Sequence, residues 1–315
     1  MRFLFHFLAA AGLTAIFSGC EQGSKKPVLT DTPISGKINI VIDESLKLLG
    51  EAEVEVFEHI YKKADLVVAY KSEEQAIADL FNDRAKLAIV ARRLTEAEEK
   101  KLKEMNMSAR TTKIAYDAVA LIAHPGNPVQ GITQENLEKI FTGKIIDWKQ
   151  VNPSFSGKIN VVFDHPRSST VRYLKETFKM GDSLPANFFA ANSHEELIKY
   201  VAANEGALGV IGVSWVSDPA DSTSHSFLKS VRILGVSPDP AMKAPYPFYE
   251  PYQGYIYQGY YPLYREVYVI SRERRAGLAS GFAAFVAGEK GQLIIKRLGL
   301  LPAQASLRLN VQFTE

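Results

Sequence analysis

The chain has 315 residues, is 46% hydrophobic and 23% charged, and carries a formal net charge of +2. That length buries a substantial core in one large or two medium domains. The near-neutral balance, with no basic block interleaved with aromatics, excludes the electrostatic footprint of a nucleic-acid binder.

The N-terminus comes first. Arg2 precedes an apolar run from Phe3 to Phe17, broken only by His6 and Thr14, and Ser18-Gly19-Cys20 follows. The run is too short and wrongly flanked for a transmembrane helix but fits a secretory signal. Small residues just before the only cysteine resemble a bacterial lipobox. The resemblance implies a signal peptide over residues 1–19, cleavage before Cys20, and lipidation of its thiol. The acyl chains would then hold the protein on a membrane. The alternative is a plain signal peptide with an incidental cysteine. A lone exported cysteine has no partner for an internal disulfide, which favours lipidation. Residues 20–36 are polar with Pro, Gly and Ser, and read as a tether.

From Lys37 the pattern alternates. KINIVID is a short apolar strand, with Ser45 as cap candidate for a helix burying Val54, Phe57 and Tyr61. DLVVAY, Ser72 and EEQAIADLF repeat the strand, loop and helix order. KLAIVA runs into Arg92 and Arg93, and Thr95 to Glu98 matches a capping box. Such alternation indicates an α/β sheet with parallel strands, whose ligands sit beyond the strands' C-terminal ends. Ser45, Ser72 and Arg92 all fall there.

Ile114 to Pro125 is an extended apolar run long enough to pass between two lobes. In ITQENLEKIFTGKIIDW, Thr133 caps a helix that Gly143 stops. INVVFDHPRSSTVRYLKETF, Ile159 to Phe178, then reads as strand, tight loop and helix. Pro166 ends the strand, Ser168, Ser169 and Thr170 are cap candidates, and Val171, Leu174 and Phe178 form one apolar face. A helix start flanked by hydroxyls and by Arg167 and Arg172 suits an oxyanion; an ordinary capped helix with solvated arginines is the plainer alternative. Ser193-His194-Glu195-Glu196 predicts a second capping box, and ALGVIGVSWV a buried strand whose glycines allow close packing. Ala244 to Tyr264 is rich in Pro and Tyr and reads as an irregular excursion, with an exposed recognition face as the sharper idea. REVYVISRE is a strand returning to the first lobe, RERR from Arg272 to Arg275 a solvated helix start, and the closing GFAAFVAGEKGQLIIKRLGLLPA a helical end.

ITQENLEKIFTGKIIDW, the Ser-Ser-Thr helix, EGALGVIG, YYPLYREVYVI and GQLIIKRLGLLPA occur in the order seen in substrate-binding proteins of phosphate ABC transporters. The chain resembles that family from about Lys37 to Pro302. The resemblance implies a bilobal periplasmic-binding-protein (type II) fold, with two α/β lobes around a ligand cleft. Lobe 1 would comprise 37–115 and 265–315, and lobe 2 residues 116–264. The family's first-loop hydroxyl falls on Ser45, with Leu46 beside it, and its second-loop serine on Ser72. Its SSR-type element leaves only Arg92 as a match. Its Ser-Gly-Thr corresponds to Ser168-Ser169-Thr170, so a serine replaces the glycine. Where the family has an arginine four residues upstream, this chain has Asp164, and the usual acidic position is Pro166. Arg167 or Arg172 is then expected to supply the cation.

The implied function is capture of inorganic phosphate by a membrane-tethered monomer in the cell envelope, delivered to an ABC permease. Phosphate keeps a proton near neutrality and sulfate none, so one carboxylate among the donors would select phosphate. Asp164 and Asp43 stand at strand ends where that group would sit. The alternatives are an envelope receptor or scaffold on the same fold, and a binder of molybdate, tungstate or sulfate. No GxSxG elbow or metal-ligand spacing of histidines is present, so neither an enzyme, a cofactor nor a metal is expected.

Overall fold

The structure, a computed structural model, describes residues 31–217 and 230–304. The signal peptide, Cys20 and most of the tether lie outside the described residues, as does the end of lobe 1 beyond residue 304. Residues 31–36 of the tether reading already belong to the fold. Asp31 is buried, is paired with Arg275, and accepts from the Leu278 N–H at 2.6 Å. The first strand, β1, spans Ser35–Asp43.

β1, β2 (Lys63–Lys71) and β3 (Leu87–Val90) are parallel, as the alternation with α1 (Lys47–Ile60) and α2 (Glu73–Phe81) predicts. The sheet is not purely parallel. β10 (Tyr264–Ser271) runs antiparallel between β3 and β4 (Arg110–Ala123), because it reaches the sheet from the far half of the molecule. β4 is the joint. Its first residues pair with β10, and from Val119 on it pairs with β8 (Ala207–Gly212) and β9 (Arg232–Val236). β8, β6 (Asn160–Phe163) and β7 (Phe188–Ala190) are again parallel. The order β2-β1-β3-β10-β4-β8-β6-β7 thus joins two parallel groups through antiparallel strands. Two short strands complete the set: β5 (Gly131–Ile132) beside β9, and β11 (Leu301–Pro302) beside β4.

The helices follow the apolar spacing. α3 spans Glu96–Glu104, with the predicted capping box between Thr95 and Glu98, and α4 spans Gln134–Phe141, capped by Thr133 and followed by Gly143 at φ 74°. α5 (Ser169–Thr177) buries Val171 and Leu174. A buried leucine at that face is worth about 1.5–3 kcal/mol. α6 spans His194–Ala203. Ser193 caps it by accepting from Glu196 N–H, but the Glu196 carboxylate turns back to Asn192, so the second capping box is only half made. Gly209 in β8 serves close packing as expected: a Cβ there would come within 2.6 Å of Ile122.

The Tyr/Pro segment is mixed. α7 (Gln253–Tyr257) lies within it, Tyr249 and Tyr261 are buried, and Tyr246, Tyr252 and Tyr257 are exposed. RERR is not a solvated helix start. Arg272 is mostly buried and donates to the Leu80 and Phe81 carbonyls, and helix α8 begins only at Leu278 (Leu278–Ala287), followed by α9 (Glu289–Arg297). No helix among the described residues is long and apolar enough to cross a membrane.

Candidate functional site

The C-terminal ends of β1 and β6 face each other, and their loops meet around one guanidinium. β1 ends at Asp43, whose Oδ1 accepts from Ser45 N–H at 3.1 Å and shapes a 3-10 turn over Glu44–Leu46. Ser45 is therefore inside a tight turn rather than the cap of α1, and Leu46 is fully buried beneath it. After β6, Ser168 caps α5 by accepting from Val171 N–H at 3.3 Å. That leaves Ser169 and Thr170 in the first helical turn, both buried, where backbone N–H groups have no intrahelical partner. The two loops touch: Ser45 Oγ and Ser169 Oγ are 2.9 Å apart.

The cation at this junction comes from neither loop. Arg265, on β10, is 3% exposed. Its Nη2 donates to Ser45 Oγ at 2.8 Å, and its Nη1 donates to Ser169 Oγ at 2.8 Å and Thr170 Oγ1 at 3.2 Å. Nε and Nη2 both donate to one oxygen of Asp117, Oδ2, at 3.0 and 2.9 Å. Burial opposes the charge on Arg265, but Asp117 and Asp43 outweigh it and hold it firmly protonated. The consequence is chemical. Each of the three hydroxyl oxygens uses a lone pair to accept from Arg265, so its own proton points elsewhere, and one proton of the Ser45–Ser169 pair is taken by their 2.9 Å contact. Polarised hydroxyls from both loops and the start of α5 converge on one point. This arrangement suits an anion.

Two carboxylates, Asp43 and Asp117, adjoin the same guanidinium, and Asp164 stands after β6 beside His194. Asp43 Oδ2, Asp117 Oδ1 and Asp164 Oδ1 are buried and have no hydrogen-bond partner. Burial raises Asp43 to about 6, against the pull of Arg265, and burial likewise pushes Asp117 up. Asp164 stands directly after β6 with its Oδ2 3.5 Å from His194 Nε2. His194 stacks on Trp215 with ring centroids 4.3 Å apart, and its burial lowers its affinity for a proton.

The arginines expected from sequence go elsewhere. Arg172 Nε donates to Glu73 Oε1 at 2.6 Å, and its Nη1 to Glu176 at 2.6 Å. Arg92 binds the same Glu73 oxygen at 3.1 Å and holds Glu98 with two bonds, at 2.7 and 2.9 Å. Ala91 N–H completes Glu73 at 3.1 Å. Arg167 is exposed in the loop, where His165 Nδ1 accepts from its N–H. The structure brings Ser45, Leu46, Ser169, Thr170 and Asp43 to the centre and puts Ser72 at the start of α2, where its side chain makes no capping bond. Arg265 and Asp117 were missed because both sit within strands, near the start of β10 and inside β4, where only a charged pair at facing register positions could have drawn attention. Their positions do face each other in the β4–β10 ladder.

A groove of about 320 Å3, lined by residues including Glu73, Arg167, Ser168, Ser169 and Arg172, reaches this cluster at Ser169. A larger cavity of about 490 Å3 lies apart, between Val216, Tyr252 and Arg297. Among the described residues no buried unpartnered side-chain polar atom lines it. No group of residues with metal-ligand geometry occurs among the described residues.

Two parallel-strand lobes sharing crossing strands, with anion donors where their loops meet, define a two-lobed solute-binding protein. The chain belongs to the PBP superfamily domain family, which matches residues 27–290. It is 28% identical over 235 residues to the phosphate-binding protein PstS of Borreliella burgdorferi, covering 71% of this chain and 75% of that protein. It is 22% identical over 264 residues to Protein SphX of Synechococcus elongatus, covering 82% and 74%. Among solved structures, a putative phosphate ABC transporter substrate-binding protein from Clostridium perfringens with bound phosphate superposes with a TM-score of 0.70. It is 23% identical and covers 85% of this chain and 100% of that one, a likeness of fold.

Proposed function

We propose that this protein captures inorganic phosphate between its two lobes and hands it to an ABC importer. The observation that carries the reading is the convergence of Ser45, Ser169 and Thr170, from two facing loops, on the buried Arg265. Ser45 and Ser169 belong to opposite lobes, 37–115 with 265–315 and 116–264, so a ligand held by both closes them. The strand crossings near Tyr116 and Leu263 act as the hinge. Leu46, Ser72 and Ser168 position the loops. Arg92 and Arg172 act indirectly, through Glu73. Asp164, beside His194 after β6, is an acceptor for a hydrogen bond from a protonated ligand. The protein works by binding and release rather than by bond chemistry. It is a monomer, held in the cell envelope by a lipid on Cys20, with the permease as its partner.

Titration calorimetry on phosphate-stripped protein tests the ligand. One phosphate per chain, undisturbed by equimolar sulfate or molybdate, is expected. No phosphate binding, with heat from molybdate, tungstate or sulfate, rejects phosphate. X-ray scattering should show compaction on binding. The exposed Tyr246, Tyr252 and Tyr257 favour the other reading, an envelope receptor or scaffold, and an unchanged radius with phosphate would select it.

A further inference from the structure

We propose that the end of lobe 1 opposite the Ser45 loop is a docking face for an anionic phospholipid surface. The proposal deepens the reading of a lipid-held envelope protein and rests on it for where the membrane lies. Strand direction gathers the face. β1, β2 and β3 are parallel and start at this end, where Ser35 is in register with Lys63. β10 runs the other way and finishes there, with Ser271 in register with both Leu87 and Arg110. The segments 31–34, 61–63, 82–86, 105–110 and 272–277 therefore share one surface. Together they hold eight lysines and arginines against three carboxylates, in a chain whose net charge is only +2.

The three carboxylates are already engaged. Asp31 pairs with Arg275, Asp83 lies 2.7 Å from Lys86 and 3.7 Å from Arg272, and Glu273 accepts from Ser280 N–H at 2.7 Å. Lys62, Lys63, Arg110 and Arg274 are exposed and have no carboxylate partner among the described residues. Two apolar side chains stand out among these cations, Ile34 at 52% and Met105 at 44% exposure. Unpaired cations around protruding apolar groups suit a phospholipid headgroup layer, where the charge meets phosphate and the apolar tip enters the acyl boundary. The chain also arrives here. Asp31 is fixed by Arg275 and the Leu278 N–H, and Cys20 is 11 positions upstream. That length of chain reaches at most about 40 Å, so a lipid on Cys20 acts on this end of the lobe. Docked this way, the Ser45 loop faces away from the bilayer.

Co-sedimentation with vesicles tests the face. The mature chain from residue 20, with Cys20→Ala so that no lipid is attached, should bind vesicles of phosphatidylcholine with phosphatidylglycerol at low salt. It should not bind phosphatidylcholine alone, and high salt should release it. Lys63→Glu with Arg274→Glu should weaken binding by about tenfold or more, since each cation near an anionic surface contributes. Lys62→Glu with Arg110→Glu is a second pair, which decides if the first fails to fold. Lys199→Glu, on α6 in lobe 2, should change nothing. Phosphate calorimetry on these variants should match the parent, because the Ser45 loop lies at the other end. No binding to anionic vesicles, equal binding to phosphatidylcholine alone, or binding that both pairs leave intact overturns the docking face. The mass of the Cys20 peptide from membranes tests the anchor separately. An unmodified thiol rejects the anchor, and binding to anionic vesicles then still supports the face.

Discussion

Two buried arginine–carboxylate clusters lie side by side at the meeting of the lobes, and they differ in one respect. Around Glu73 every charge is answered: Arg92, Arg172 and Ala91 N–H reach its two oxygens, and Glu98 and Glu176 take the remaining guanidinium nitrogens. Around Arg265 the other donors are hydroxyls, two of them 2.9 Å apart, and Asp43 Oδ2 and Asp117 Oδ1 accept nothing. The first cluster is complete without a ligand and ties α2 to α5 as a latch. The second leaves buried acceptor oxygens that no described group satisfies. On the phosphate reading proposed here, saturation, rather than proximity to a helix start, separates the structural arginines from the one at the site.

The sharpest way to break this contrast is Arg265→Met. It strands Asp117 as an uncompensated buried charge, and urea unfolding should register a loss of about 3–5 kcal/mol. A loss under about 1 kcal/mol, as for a surface pair, would mean Arg265 is not the keystone drawn above.

Glu53 tests whether unpartnered oxygens always mark a ligand. It is fully buried on α1, both its oxygens lack partners, and burial raises it to about 9. The unfolded chain ionises near the ordinary value of 4.5 while the folded chain stays neutral, so this residue's contribution is intact at acid pH and drains away as pH rises towards 9. Glu53→Gln should therefore stabilise the fold by roughly 2–4 kcal/mol at pH 8 and by little at pH 5. Thermal melts at the two pH values check this. Phosphate affinity should not move, because Glu53 belongs to neither cluster.

Within the latch, Arg172→Ala leaves Arg92 and Ala91 N–H on Glu73, so about 1–2 kcal/mol is expected. Scattering should show a wider ligand-free molecule, with a smaller change in phosphate affinity than Arg265→Met produces. An affinity loss equal to that of Arg265→Met would return Arg172 to direct contact. Smallest is Ser168→Ala, which removes the α5 cap for about 1 kcal/mol while leaving the Arg265 hydroxyls in place.

Much of the fold was legible in the chain. The spacing of Val171 and Leu174, the Thr95 and Thr133 caps, and the apolar run through Ala118 to Ala123 reflect periodicities set by local geometry. Ser45, Ser169 and Thr170 could be picked out because strand ends and helix starts are local features. Local rules misjudged Ser45 as a helix cap and RERR as a helix start. A 3-10 turn built by Asp43, and the distant carbonyls of Leu80 and Phe81, decided those two.

By itself, then, the sequence determined the alternation of strands and helices and which hydroxyls stand at the loop tips. Periodicity and capping need only residues a few positions apart. Tertiary structure decided which cation those hydroxyls meet. Arg265 lies 96 positions from Ser169, 148 from Asp117 and 220 from Ser45, and only the antiparallel return of β10 beside β4 brings them within hydrogen-bonding distance. The same packing consumed Arg172 in the latch, because a guanidinium in a low-dielectric junction pairs with the carboxylate geometry places nearest.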